Sequence, residues 1–162
     1  MNFDKIIFEM IKYYSKDPKR IQHFLKVHSF ASMIGRGENL DNNTQYILEI
    51  AAIVHDIGIK VSEEKYNSSA GKYQEIEGPS IAKDMLTKLG YDEKVIDRVC
   101  YLVGHHHTYN NIQGIDYQIL VEADFLVNIY EDGLDEIATK NAYDRIFKTT
   151  TGKDILKNMY GI

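Results

Sequence analysis

The chain has 162 residues, enough for one domain that buries a core without disulfide staples. Its 44% hydrophobic and 27% charged residues exclude a disordered or fibrous protein. A formal net charge of −5 and a pI near 5.7 exclude a surface built on the backbone of double-stranded nucleic acid, which needs clustered Lys and Arg, but leave room for a small anionic partner.

The first residues, MNFDKIIFEMIKYYSKD, are interrupted by Asp4, Glu9 and Lys12 where a signal peptide needs an unbroken apolar stretch. No apolar run approaches the roughly 20 residues that cross a bilayer, so no membrane partner and a cytoplasmic location are expected. Ile6, Ile7, Met10, Ile11 and Tyr14 recur at helical spacing and predict a first helix over 3–14. A second is predicted from Pro18 to about Gly35, with Ile21, Phe24, Leu25, Ala31 and Ile34 as its stripe and Gly35 and Gly37 as its stop. Asp41 or Asn43 caps a third, which carries Ile47, Ile50, Ala51 and Val54 and ends at Gly58. The stretch 62–74 lacks a sustained period and reads as a polar loop. Helices follow over 78–89, 92–106 and 116–130, with shorter pieces toward Met159. Pro18 and Pro79 both read as first-turn prolines. No repeat and no strong strand signal occur, and the expected fold is all-α, a single domain over 1–162 built as a compact bundle of six to eight helices.

The lone Cys100 excludes an internal disulfide, and no CxxC pair points to zinc-thiolate or thiol redox chemistry. All six histidines fall in three places: His23 with His28, His55 beside Asp56, and the run His105-His106-His107. Imidazole and carboxylate without thiolate suit manganese, iron, cobalt, nickel or zinc in a hydrolytic role, with magnesium a further candidate, as one or two ions. In AAIVHDIGIK an apolar helix delivers a His and an Asp side by side before a glycine. The pair reads equally as solvated groups facing a helix dipole. Asp124 lies in YQILVEADFLVNIY beside Ile119, Leu120, Ala123 and Val127, on a face that should be buried. A carboxylate there needs a partner, either a cation or a nearby Lys, Arg or helix terminus. His23 and His28 are five residues apart, about 140° around a helix, so both cannot face one ion.

A His on an early helix, then His-Asp-Ile-Gly, then a distant Ala-Asp in an apolar helix resembles the HD superfamily of metal-dependent phosphohydrolases, and its HDIG branch, over about residues 20–131. The remaining residues, 132–162, are expected to pack on that region. The family phrase His-x-Leu-Lys/Arg-Val is present as HFLKV and selects His23. The resemblance implies that His23, His55, Asp56 and Asp124 hold a first ion. For a second ion it points to His106 and His107, and to Glu77 where relatives often have a His; Glu77 reads equally as a residue at the start of the next helix. It further implies that Asp56 orients the attacking water, that His106 or His107 protonates the leaving oxygen, and that Lys60 reaches a substrate phosphate. Lys60 stands one residue later than the family phrase has its lysine, and Arg20 and Lys72 are the other cations considered. The expected substrate is a small phosphate ester such as a nucleotide, cleaved as a monoester or diester, and the expected assembly ranges from monomer to homo-oligomer. Two alternatives stay open: a nucleotide-binding module without catalysis, and a di-iron oxygenase.

Overall fold

A computed structural model describes residues 2–162. Those residues form nine helices: α1 (Asp4–Tyr13), α2 (Pro18–Gly37), α3 (Asn42–Val54), α4 (Ile59–Tyr66), α5 (Gly71–Lys88), α6 (Glu93–Val103), α7 (Ile115–Glu131), α8 (Glu136–Arg145) and α9 (Thr150–Tyr160). No strand occurs among the described residues. No helix is long and apolar enough to cross a membrane.

Helices α2, α3 and α7 pack against one another, α5 and α6 pair beside α3, and α9 closes the far side on α7 and α2. The reason α3 sits at the centre is its composition: Ile47, Leu48, Ile50, Ala51, Ala52, Ile53 and Val54 are buried all around it. Helix α7 behaves alike, burying Ile119, Leu120, Val121, Ala123, Leu126, Val127 and Ile129. Asp41 caps α3 through the backbone N–H groups of Asn43 and Thr44, the first of the two capping choices. The side chains of Asp17, Asp92 and Asp135 cap α2, α6 and α8 in the same way.

The polar stretch 62–74 is mostly helical, contrary to the loop expected. Helix α4 continues to Tyr66 and α5 begins at Gly71, so only 67–70 stays irregular. The hydrophobic period is missing because α4 buries only Ile59 and Ser62, the Ser62 hydroxyl donating back to the Gly58 carbonyl. The Tyr66 and Tyr73 rings stack at 4.1 Å across the hairpin. Asn67, at φ 50°, ends α4 in the left-handed conformation. Pro79 lies inside α5 rather than in its first turn, so the Glu75 carbonyl has no N–H four residues on. Helix α2 runs through Gly35 and Gly37; Asn39, at φ 57°, takes the left-handed turn after it.

Gly58 is fixed by space. A Cβ there would meet the Gln74 carbonyl oxygen at 2.7 Å and the Gly78 backbone nitrogen at 2.9 Å, main-chain atoms that cannot swing aside. Helix α5 therefore rests directly on the turn after α3. Gly58→Ala is expected to cost about 1–3 kcal/mol by overpacking, read as a lower denaturant midpoint at unchanged slope.

Behind α7, the fully buried Glu122 carboxylate accepts from the backbone N–H groups of Lys148 and Thr149, the Thr149 hydroxyl and the Gln118 amide. These contacts place its charge at the N-terminus of α9, where helix dipoles favour it.

Candidate metal centre

The three mutually packed helices each deliver part of one cluster. His23 comes from the second turn of α2, His55 and Asp56 from the turn that ends α3, and Asp124 from the buried face of α7. The His23 Nε2 lies 3.2 Å from His55 Nε2, 3.2 Å from Asp56 Oδ2 and 3.2 Å from Asp124 Oδ1. His55 Nε2 is 3.3 Å from Asp56 Oδ2 and 3.6 Å from Asp124 Oδ1. The other oxygen of Asp56, Oδ1, faces His106 Nε2 at 3.4 Å. On the α1 side, the hydroxyls of Tyr14 and Tyr13 hold the turn by donating to the carbonyls of Asp56 and Ile57.

Each inward imidazole has its Nδ1 tied to an acceptor. His55 Nδ1 meets the Ala52 carbonyl at 2.8 Å, His106 Nδ1 the Val103 carbonyl at 2.8 Å, and His23 Nδ1 the Glu131 carboxylate at 2.9 Å. Those acceptors have no proton to give, so Nδ1 carries the hydrogen and Nε2 is the atom left for a metal ion or a second proton. The Nε2 atoms of His23 and His55 and one oxygen each of Asp56 and Asp124 therefore converge on one spot, with His106 Nε2 and the other Asp56 oxygen beside it. An electron-rich hollow of this kind is stable only around a cation, whether a metal ion or a captured proton.

Electrostatics bear this out in the metal-free protein. Burial alone pushes the His23 imidazole down, but hydrogen bonds to Asp124 and Asp56 outweigh it and raise it to about 11. His55 behaves the same way: burial opposes the charged form, and the Asp56 charge with hydrogen bonds to both aspartates raises it to about 10. Asp56 and Asp124 are both driven below the usual carboxylate range; burial works against this, and the His55 charge and the histidine hydrogen bonds prevail. The donor set fits a divalent ion of the imidazole-carboxylate kind. Two groups of side chains have atoms close enough to hold one: His23, His55 and Asp56, and next to it Asp56, His106 and His107.

The cluster opens into a cavity of 630 Å³ bordered by Lys19, Arg20, Gln74, His107, Tyr109, Phe125 and Asn128. His107 is pushed down to about 4, first by burial and then by the His106 charge, so it is neutral at ordinary pH. The remaining sequence candidates lie elsewhere. Glu77 pairs with Lys65 at 2.8 Å and the Tyr66 hydroxyl at 2.8 Å, one helical turn beyond the cavity, and Gln74 occupies the place it was expected to fill. The Lys60 ammonium sits 5.4 Å from the Tyr13 ring, outside the cavity wall, because the turn at Gly58 directs the start of α4 toward α1. His28 bonds to Glu49 at 2.9 Å, and His105 stacks on Tyr101 with its Nδ1 on the Tyr101 carbonyl. Lys72 lies over the Tyr73 ring, whereas Arg20 reaches the cavity rim while paired with Asp17 and Glu63.

Three contributors escaped the sequence reading. Asn128 donates to Asp124 Oδ1 at 2.9 Å, and Glu131 holds His23 while accepting from Lys26 at 2.7 Å. Asp124, Asn128 and Glu131 fall at i, i+4 and i+7 on one face of α7, a spacing that signals a shared task once Asp124 is singled out. The third is Gln74, whose amide Nε2 donates to the Ser69 carbonyl at 2.7 Å and whose Oε1 faces His107 Nε2 at 3.1 Å. Glu131→Ala is expected to weaken divalent-ion binding about 10–100-fold, measured by chelator competition, because His23 loses the partner that aims its Nε2.

No curated protein and no solved structure matches the chain significantly. The HD domain family matches residues 20–142, a span that holds His23, His55, Asp56, His106, His107 and Asp124. The chain thus belongs to the HD domain family, whose members are generally metal-dependent hydrolases.

Proposed function

We propose that this protein is a phosphohydrolase in which His23, His55, Asp56 and Asp124 hold a divalent transition metal and a small phosphate ester enters the cavity above them. The observation that carries this reading is the convergence of imidazole lone pairs, each fixed by its Nδ1 contact, on the carboxylates of Asp56 and Asp124. A bound divalent ion lowers the pKa of a coordinated water and offsets charge on phosphoryl oxygens. That offset matters here, because Asp17, Asp56, Asp124, Glu131 and Asp132 border the cavity against only Lys19 and Arg20. An anionic substrate would otherwise be repelled.

Asp56, with Oδ2 toward the histidine pair and Oδ1 toward His106, is placed to accept a hydrogen bond from the attacking water and orient it. Proton delivery to the leaving oxygen does not suit His107, which is neutral, nor His106, which is buried behind the cavity wall with its Nε2 turned to Asp56 Oδ1. Tyr109 borders the cavity and is raised to about 12, by burial first and then by the Asp124 charge, so its hydroxyl keeps a proton to give. Its ring also packs edge-on against Phe125 at 5.1 Å, an aromatic wall that suits the planar base of a nucleotide.

The test is elemental analysis of the purified protein together with a screen of nitrophenyl phosphates and nucleotides in manganese, cobalt, nickel, iron, zinc and magnesium. Metal-dependent phosphate release abolished by chelation is the expected result. A metal-loaded protein that binds nucleotides without cleaving any supports the non-catalytic module instead, and two irons with oxygen-dependent turnover support the oxygenase.

A further inference from the structure

Away from the metal cluster, the cavity has little positive charge to offer a ligand. Of the described residues that border it, only Lys19 and Arg20 are cationic. Arg20 is engaged on both arms of its fork: Nη1 lies 2.6 Å from Asp17 Oδ2 and Nη2 2.5 Å from Glu63 Oε1, with the guanidinium carbon 6.0 Å over the Tyr14 ring. Asp17 is itself fixed, because its Oδ1 caps α2 through the Arg20 backbone N–H. A phosphate that drew Arg20 into the cavity would leave the Asp17 and Glu63 carboxylates unpaired beside it, and like charges so placed repel. Lys19 is exposed, so water and salt screen it, and the equally exposed Asp132 stands on the same border.

The neutral groups have the same polarity. Asn128 gives its Nδ2 hydrogen to Asp124 Oδ1, so the end left for a ligand is the acceptor Oδ1. Gln74 Nε2 donates to the Ser69 carbonyl, which turns Gln74 Oε1 to His107 Nε2 and leaves His107 Nδ1, again an acceptor, 3.5 Å from the Tyr109 hydroxyl. Beside the ion, the wall therefore suits a ligand that brings donors, and a hydroxyl is the uncharged donor that a phosphate ester carries.

We infer that the substrate has a single phosphoryl group, seated on the ion and joined to a hydroxyl-bearing leaving group, and that the Asp17–Arg20–Glu63 triad turns away di- and triphosphates by withholding the guanidinium that could hold a further phosphate. The inference rests on the proposed function, since the ion must take the one phosphate. Glu63 touches no substrate and acts through Arg20, as a positioning residue for specificity.

The experiment compares kcat/KM on the metal-loaded full chain for nucleoside 5′-mono-, di- and triphosphates, followed by chromatography at a buffered concentration of free manganese so that polyphosphates do not strip the ion. The monophosphate is expected to lead the triphosphate by about 100-fold, mainly through KM. That gap is expected to narrow as salt rises from about 0.05 to about 0.5 M, which exclusion by shape alone would not produce. Glu63→Ala, on an exposed position of α4, frees Arg20 Nη2 and is expected to raise kcat/KM for the triphosphate about tenfold while the monophosphate moves far less. Among simple esters, glycerol phosphate is expected to exceed propyl phosphate, the same chain without hydroxyls, about tenfold. A triphosphate cleaved as well as the monophosphate would overturn the inference, as would a gap that neither salt nor Glu63→Ala narrows, or equal rates for the two simple esters. Cleavage of none of these compounds would strike the proposed function instead. The same rankings are then read as affinities by calorimetry on the manganese-loaded protein, where the same reversals overturn the inference.

Discussion

Asp56→Ala is expected to lower metal-dependent phosphate release by on the order of 10³-fold or more, since in the proposed function one side chain serves both as metal ligand and as water-orienting group. The loss should appear in kcat and in metal content together, because the atoms that face His23 and His55 go with the carboxylate. Unfolding is not the cause, which a melt distinguishes. Without Asp56 the two imidazoles lose much of what raises them and the metal-free fold loses the stability those shifts represent, so the variant should still melt cooperatively, at a lower temperature than wild type. Asp56→Asn, which keeps the shape and removes the charge, should fall between the two in metal content. Full activity in either variant would remove Asp56 from the chemistry.

The second large effect concerns pH. In the metal-free protein His23 and His55 are raised to about 11 and about 10, so at neutral pH the cluster holds a proton where a metal would sit. With their Nε2 atoms 3.2 Å apart, the two rings cannot both aim a hydrogen at the same carboxylates, and one shared proton is the stand-in. Metal must displace it. Apparent affinity for a divalent ion should therefore rise about tenfold per pH unit between pH 6 and pH 9, with one proton released per ion, measured by calorimetry in buffers of different ionisation enthalpy. For stability the sign is set by the same shifts. Histidines raised above their ordinary 6.5 stabilise the metal-free fold fully below that value, and the contribution disappears as pH climbs through about 10 to 11. Asp56 and Asp124, lowered in the fold, stabilise it above their ordinary 3.8, and that contribution fades as pH falls below it. Chelated protein should thus be most resistant to denaturant between these limits, and an affinity independent of pH would contradict the shared proton.

Much of this centre could be read from residue types. His55-Asp56 before a glycine and Asp124 on an apolar face are unusual enough to be noticed singly, and α2, α3 and α7 bring them together because their apolar stripes demand one another. What escaped the sequence depends on approach between distant segments. Glu131 reads as a surface acid until α2 lies alongside α7 and places His23 and Lys26 against it. Gln74 and Glu77 differ by three residues, and choosing between them requires the rotation of α5, which the close approach at Gly58 sets and no local pattern reveals. Helix α4 was invisible for a related reason: a short helix that buries two side chains leaves no periodic trace.

The Glu122 contacts give the fifteen residues after Phe147 a task of their own. Glu122 and Asp124 stand two apart on α7, so one points back toward α9 while the other points into the cavity. A chain cut short after Phe147 would strip Glu122 of the Lys148 and Thr149 groups that bind it and leave a buried carboxyl group stranded behind the cradle. The tail is in effect a buttress, and trimming it to tidy an expression clone should cost the protein its hold on metal before it costs any residue that touches metal.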